Sequence, residues 1–289
     1  MVLPIGLDLI SQVLFWGTIL GCIYVLLASG LNLIFGVIDV VWICYAELVM
    51  VGMYAIYWLH VYYGWPYLGA AVAAILLVAL LGVLLHRVII EPILGSPPIN
   101  QLLATGGLLF FLQSFATLLF GTDFRNVGIR LPIIELGEID LSFSRLLAFI
   151  AALLGSAGLY LFLSKTYLGT AIRAISQDRE VMGLMGVDER RIYLTTSAIG
   201  GGLAGLASCL LALQYDVHPF LGLTFGPIIF MICVLGGLGN MLGGVLAAFV
   251  MSEIISIGGY YTSSELADVL AFVLFIVMIV LRPKGILGR

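Results

Sequence analysis

Charge is what this sequence has least of. Only 12 Lys and Arg and 16 Asp and Glu occur among 289 residues, 10% of the chain. Against them stand a hydrophobic share of 62% and a mean hydropathy of +1.20. Soluble domains carry about 25% charged and about 45–50% apolar residues, so the chain lacks the polar surface that a water-soluble globule needs. Nor is there a basic stripe, which excludes a nucleic-acid partner. Cys22, Cys44, Cys209 and Cys233 each stand alone in an apolar run, without a CxxC pair, and read as small packing residues. His60, His86 and His218 are scattered, with no HxxxH or Ser/His/Asp grouping, so neither a catalytic set nor a metal site is expected. No GxxxxGK[ST] pattern occurs, so the chain does not bind ATP through a P-loop. The opening MVLPIGLDLI lacks a basic n-region and is expected to be retained structure.

What is abundant is long apolar sequence. About 20 helical residues at about 1.5 Å each cross a hydrocarbon core of about 30 Å. Nine segments approach that length: 12–35, 41–59, 67–86, 102–121, 143–163, 192–214, 219–235, 241–257 and 266–281. None alternates as a barrel strand does, so the backbone must satisfy itself as helix. The expected fold is an all-α integral membrane protein, one domain over 1–289. It is a polytopic bundle of about nine transmembrane helices, with eight or ten also compatible. Nine crossings put Arg87, Lys165, Arg173, Arg179, Arg190, Arg191, Arg282, Lys284 and Arg289 on one side and Arg125, Arg130 and Arg145 on the other. Basic loops stay cytoplasmic, so the first group faces inward.

Three features carry functional information. The loop 165–191 holds Thr170 to Met185, in which Ala171, Ala174 and Ile175 follow helical spacing and Met182 and Met185 extend an apolar side. One amphipathic helix is expected there, seated in the groove of a soluble partner or resting on the membrane surface. The stretch VLGGLGNMLGG places Gly236, Gly237, Gly239, Gly243 and Gly244 within eleven residues. Each costs up to about 1 kcal/mol in a helix relative to Ala. The stretch is either a close helix contact or a discontinuous helix, broken at Gly236 to Asn240, whose free backbone groups border a transport path. A second interruption is expected at ASGLNLIFG, 28–36. Asp39, Glu47, Asp216, Glu253 and Asp268 lie in or at the edges of spans, and Glu47, set in WICYAELVMVGMY, is the strongest functional candidate.

The order and spacing of ASGLNLIFGV, AELVMVGMYA, EPILGSPPINQLLATGGLLFFLQ, GTAIRAISQD, VLGGLGNMLGG and LRPKGILG resemble the shorter permease subunit of branched-chain amino acid ABC importers over nearly the whole chain. The resemblance implies that Gly169, Ala171, Arg173, Ala174, Asp178, Met182 and Gly186 form a cytoplasmic loop docking on an ATPase. It also implies that the path runs near Asn32, Glu47, Gly236, Gly237, Gly239 and Asn240. No cofactor is then held by this chain, because ATP and Mg bind separate ATPase subunits. The implied partners are those two ATPases, a second and longer related permease, an extracytoplasmic substrate-binding protein and the lipid of a bacterial inner membrane. Where the family has an Asn-Phe-Ala-His-Gly-Glu run, this chain has Trp42, Ile43, Cys44, Tyr45, Ala46 and Glu47, so only the acid is kept. That departure leaves urea, amides or aromatic acids open as cargo beside branched-chain amino acids. A secondary carrier and an intramembrane enzyme are the rival classes; the first leaves the amphipathic loop without a purpose, and the second lacks a reactive cluster.

Overall fold

A computed structural model describes residues 7–129, 133–136, 139–282 and 285–287. Arg130, Lys284 and Arg289, named above as charged positions, lie outside the described residues.

Among the described residues the chain forms twelve α-helices and one small hairpin. They are α1 (Leu7–Ile38), α2 (Tyr45–Tyr57), α3 (Tyr67–Leu85), α4 (Glu91–Ile93), α5 (Pro98–Phe120), α6 (Phe143–Lys165), α7 (Tyr167–Ile175), α8 (Arg179–Leu184), α9 (Glu189–Leu211), α10 (Leu221–Gly236), α11 (Met241–Tyr261) and α12 (Ser264–Leu281). Two π-helical turns, Trp58–Tyr62 and His86–Ile90, prolong α2 and α3. Strands β1 (Ile133–Leu136) and β2 (Ile139–Ser142) pair antiparallel just before α6. Each of the nine apolar segments falls on one of the longer helices. Six helices, within α1, α3 to α4, α5, α6, α9 and α11, are long and apolar enough to cross a membrane unaided; α10 and α12 are shorter apolar helices.

Helix α1 is the axis of the bundle. The apolar window of α1 is 89% buried, whereas those of α5 and α6 are 28% and 22% buried and present their remaining faces outward. Helices α6, α9, α10 and α11 pack around α1, and α2 fills the space between α9, α3 and α10. An outward face of Leu, Phe and Val in contact with hydrocarbon costs nothing. This arrangement therefore uses the composition that a soluble fold could not.

The expected interruption at 28–36 does not occur, since α1 runs unbroken to Ile38. Gly30 and Gly36 serve close packing instead. A side chain on Gly30 would meet the Tyr45 hydroxyl, and one on Gly36 would meet the backbone of Gly239 at 3.0 Å. Helix α1 stops where Asp39 turns to φ +61, a left-handed conformation that an acidic side chain tolerates better than most.

The expected single helix over Thr170 to Met185 is also corrected. It is two, because Asp178 caps a new start: its carboxylate accepts the Val181 N–H at 3.1 Å, and α8 turns away from α7. At 236–240 the chain does break. Gly237 and Gly239 take φ of +96 and +79, and Asn240 caps α11 by accepting the Gly243 N–H at 3.1 Å. Helices α10 and α11 are thereby antiparallel neighbours joined by a tight turn at one end of the bundle. Close contact and chain break are both present, since a side chain on Gly236 or Gly243 would overlap the other's backbone.

Candidate functional site

One end of the bundle collects most of the charge. Arg190 pairs with Glu91 at 2.8 Å, Arg179 lies over the Tyr193 ring at 5.8 Å, and the loop 165–191 joins α6 to α9 there. At the opposite end Arg145 lies 4.1 Å over the Trp16 ring. Arg125, also at that end, exchanges backbone hydrogen bonds with Val217 at 2.9 and 2.7 Å. Asn126 donates to Asp216 at 2.7 Å beside it. His218 at this end packs 4.6 Å from the Phe124 ring, and burial lowers its pKa although Asp216 opposes the shift.

The loop is built as a rigid elbow. Thr166 caps α7 by accepting the Gly169 N–H at 3.0 Å, and Gly169 lets α7 lie against the backbone of Phe162 and Leu163 in α6. Ala171, Ile172 and Ile175 are buried against the bundle, Ala174 is half-buried and Arg173 is exposed. Beyond the Asp178 cap, Met182 packs on the core while Leu184 and Met185 stand 88% and 76% exposed. Gly186, at φ +80, closes the elbow in open space. The loop thus carries an apolar tip on a braced base.

Asn32 and the glycine turn meet at the same end. The side-chain oxygen of Asn32 accepts the Gly239 N–H at 3.3 Å, and its amide nitrogen, buried against Gly244, has no partner. They border a cavity of about 750 Å³ between the end of α1, the turn and the underside of the loop. The segment 285–287 lies across the turn: the Ile286 N–H donates to Leu235 O at 2.7 Å, and Asn240 donates to Leu287 O at 2.8 Å.

Glu47 is not in this cavity. The Glu47 residue is fully buried on α2 against Gly222 of α10, and Gln113 of α5 donates to one carboxylate oxygen at 3.0 Å. The other oxygen has no partner. The expected path residues thus separate into two places, Asn32 with Gly236 to Asn240 at the charged end and Glu47 with Gln113 inside the bundle. Glu253 forms a third polar contact, accepting from Thr18 at 3.1 Å.

Sequence reasoning missed Gln113, Arg179 and the 285–287 clip. Gln113 left a signal, a lone long polar side chain inside the apolar run 102–121. Among the described residues no group of three or more His, Cys, Asp or Glu could hold a metal ion.

Many long apolar helices define a multi-pass membrane protein. The family described as branched-chain amino acid transport system, permease component, matches residues 13–279, and the chain belongs to it. The chain is 30% identical over 288 residues to the high-affinity branched-chain amino acid transport system permease protein BraD of Pseudomonas aeruginosa, covering 94% of each. The corresponding LivH protein of Escherichia coli is 28% identical over 297 residues, covering 96% of this chain and 95% of LivH. The permease protein LivM of the same organism is 28% identical over 296 residues, covering 92% of this chain and 68% of LivM. The chain is a permease component, a transport subunit and not an enzyme.

Proposed function

We propose that this chain is the inner-membrane permease of an ATP-driven importer for branched-chain or other small apolar amino acids. It pairs with a second, longer permease of the same family, two ATPase subunits that bind ATP and Mg, and an extracytoplasmic binding protein that selects the ligand. Nine crossings put the N-terminus and the Arg125 region outside and the loop 165–191 inside. The clustering of Arg87, Lys165, Arg173, Arg179, Arg190, Arg191 and Arg282 at one end of the bundle supports that orientation.

The observation that carries the reading is the exposed apolar tip of the loop, Leu184 and Met185, on a base fixed by the Thr166 and Asp178 caps. Adjacent exposed apolar side chains rimmed by polar residues suit the groove of a partner. A groove on an ATPase would take them, and Gly169, Ala171, Arg173, Ala174, Asp178, Met182 and Gly186 would carry its motion to α6 and α9. Asn32, Glu47, Gly236, Gly237, Gly239 and Asn240 are assigned to the path.

Leu184→Glu should break the docking without unfolding the bundle, because nothing in the fold packs on this side chain. Complex recovered from membranes should lose its ATPase subunits, and leucine uptake should fall at least tenfold, while the thermal midpoint of the permease pair holds. Full uptake by this variant with the ATPases retained would reduce the loop to a surface tether.

A further inference from the structure

The cavity of about 750 Å³ beneath the loop falls inside the range of about 300–1,000 Å³ found for small-molecule sites. Its wall carries both signs of charge together with apolar surface: Arg173 and Arg179 from the loop, Asp39 from the end of α1, and Leu33 and Leu238 between them. Asn32 also lines it, 1% exposed and with its amide nitrogen unpartnered. Met241 and Leu242, the first residues of α11, complete that side, and their N–H groups have no intrahelical acceptor. A helix start and two guanidinium groups beside the cavity favour negative charge. A single carboxylate at the rim suits an ammonium and opposes a multiply charged anion.

We infer that this cavity is a cytosol-facing site for a free apolar α-amino acid, which inhibits the transporter by tying the loop to the permease body. The inference rests on the proposed function for the identity of the cargo. The α-carboxylate goes to the start of α11 and Arg179; the ammonium goes to Asp39; the side chain lies on Leu33 and Leu238. Arg179 already spans the gap, donating to Val37 O at 3.3 Å. A ligand that contacts both walls would hold α7 and α8 against α1 and the glycine turn. Cargo accumulated inside the cell would then slow its own import.

The test uses the whole complex in phosphatidylcholine vesicles. Radiolabelled leucine should bind the complex without the binding protein, and isoamylamine, which lacks the carboxylate, should fail to compete. Leu242→Trp, which fills the cavity, and Arg179→Gln should each weaken that binding at least tenfold. Leucine on the ATPase side should slow ATP-driven transport about fivefold, the low end of common allosteric couplings. Neither variant should show that slowing when normalised to its own rate without leucine on that side. No binding by the native complex, equal competition by isoamylamine, or unchanged binding in both variants would overturn the inference. So would binding of dihexanoyl phosphatidylethanolamine in place of leucine, which would make the cavity a lipid headgroup site. A complex that binds leucine here but imports none would count against the proposed function and leave the cavity assigned.

Discussion

A carboxylate sealed inside an apolar bundle is the least comfortable residue in this molecule. Glu47 is fully buried with one oxygen bonded to Gln113 and the other to nothing. Removing the partner of a buried polar group costs about 1–3 kcal/mol, more than the bond itself contributes. Gln113→Leu should therefore lower the thermal midpoint of the purified permease. Glu47→Leu combined with Gln113→Leu should cost less than the sum of the two single changes, because the second removes the group stranded by the first. Strict additivity in that cycle would show that the two side chains do not interact. The partnership was not legible in the sequence, where 66 positions separate the two. Only the isolated polarity of each side chain within its apolar run could be read.

At the scale of elements, the apolar helices were readable because bilayer thickness sets their length, and each expected segment overlies a helix. The glycines were harder. Both 28–36 and 236–244 are glycine-bearing apolar stretches, yet α1 continues through the first and the chain turns in the second. The difference is one of neighbours and backbone conformation: Gly30 and Gly36 make room for packed partners, whereas Gly237 and Gly239 adopt φ of +96 and +79. A β-branched side chain is strained in that region by about 1–2 kcal/mol or more. Gly237→Val and Gly239→Val should accordingly lower the transport rate of the complex severalfold, while leucine affinity measured on the binding protein is unchanged. Normal transport by both would demote the turn to a passive connection. The split of 170–185 into α7 and α8 was written in the sequence as an Asp before a short apolar run, a cap signal that the longer helical spacing overrode.

For the whole molecule, the arrangement of charge is the quantity open to direct measurement. Cysteines placed at Asn126 and Ser176, in a background without the four native ones, should label from opposite faces of the membrane, the first from outside and the second from inside. Labelling of both from one face would sink the nine-crossing proposal. An expectation of sidedness was legible, because it needs only the counts of Lys and Arg between apolar segments. The bundle's interior order was not, since the same alternation of segments is compatible with many neighbour sets, and burial of α1 at the centre depends on shape. The outward faces of α3, α5, α6 and α12 are largely apolar, so the sequence marked them as membrane helices without marking which side meets lipid and which meets another subunit.

The hydrogen bonds from Ile286 to Leu235 and from Asn240 to Leu287 give the fold an order in time. Synthesis proceeds from the N-terminus, so the turn between α10 and α11 is made well before the segment that pins it. Until α12 and the segment after it have been made, the carbonyl of Leu235 and the amide of Asn240 must find other partners. The hairpin therefore leaves the insertion machinery unfinished, and its closure is a late event in biogenesis. A chain cut after α12 would keep every helix and still lack the latch that holds the turn between α10 and α11.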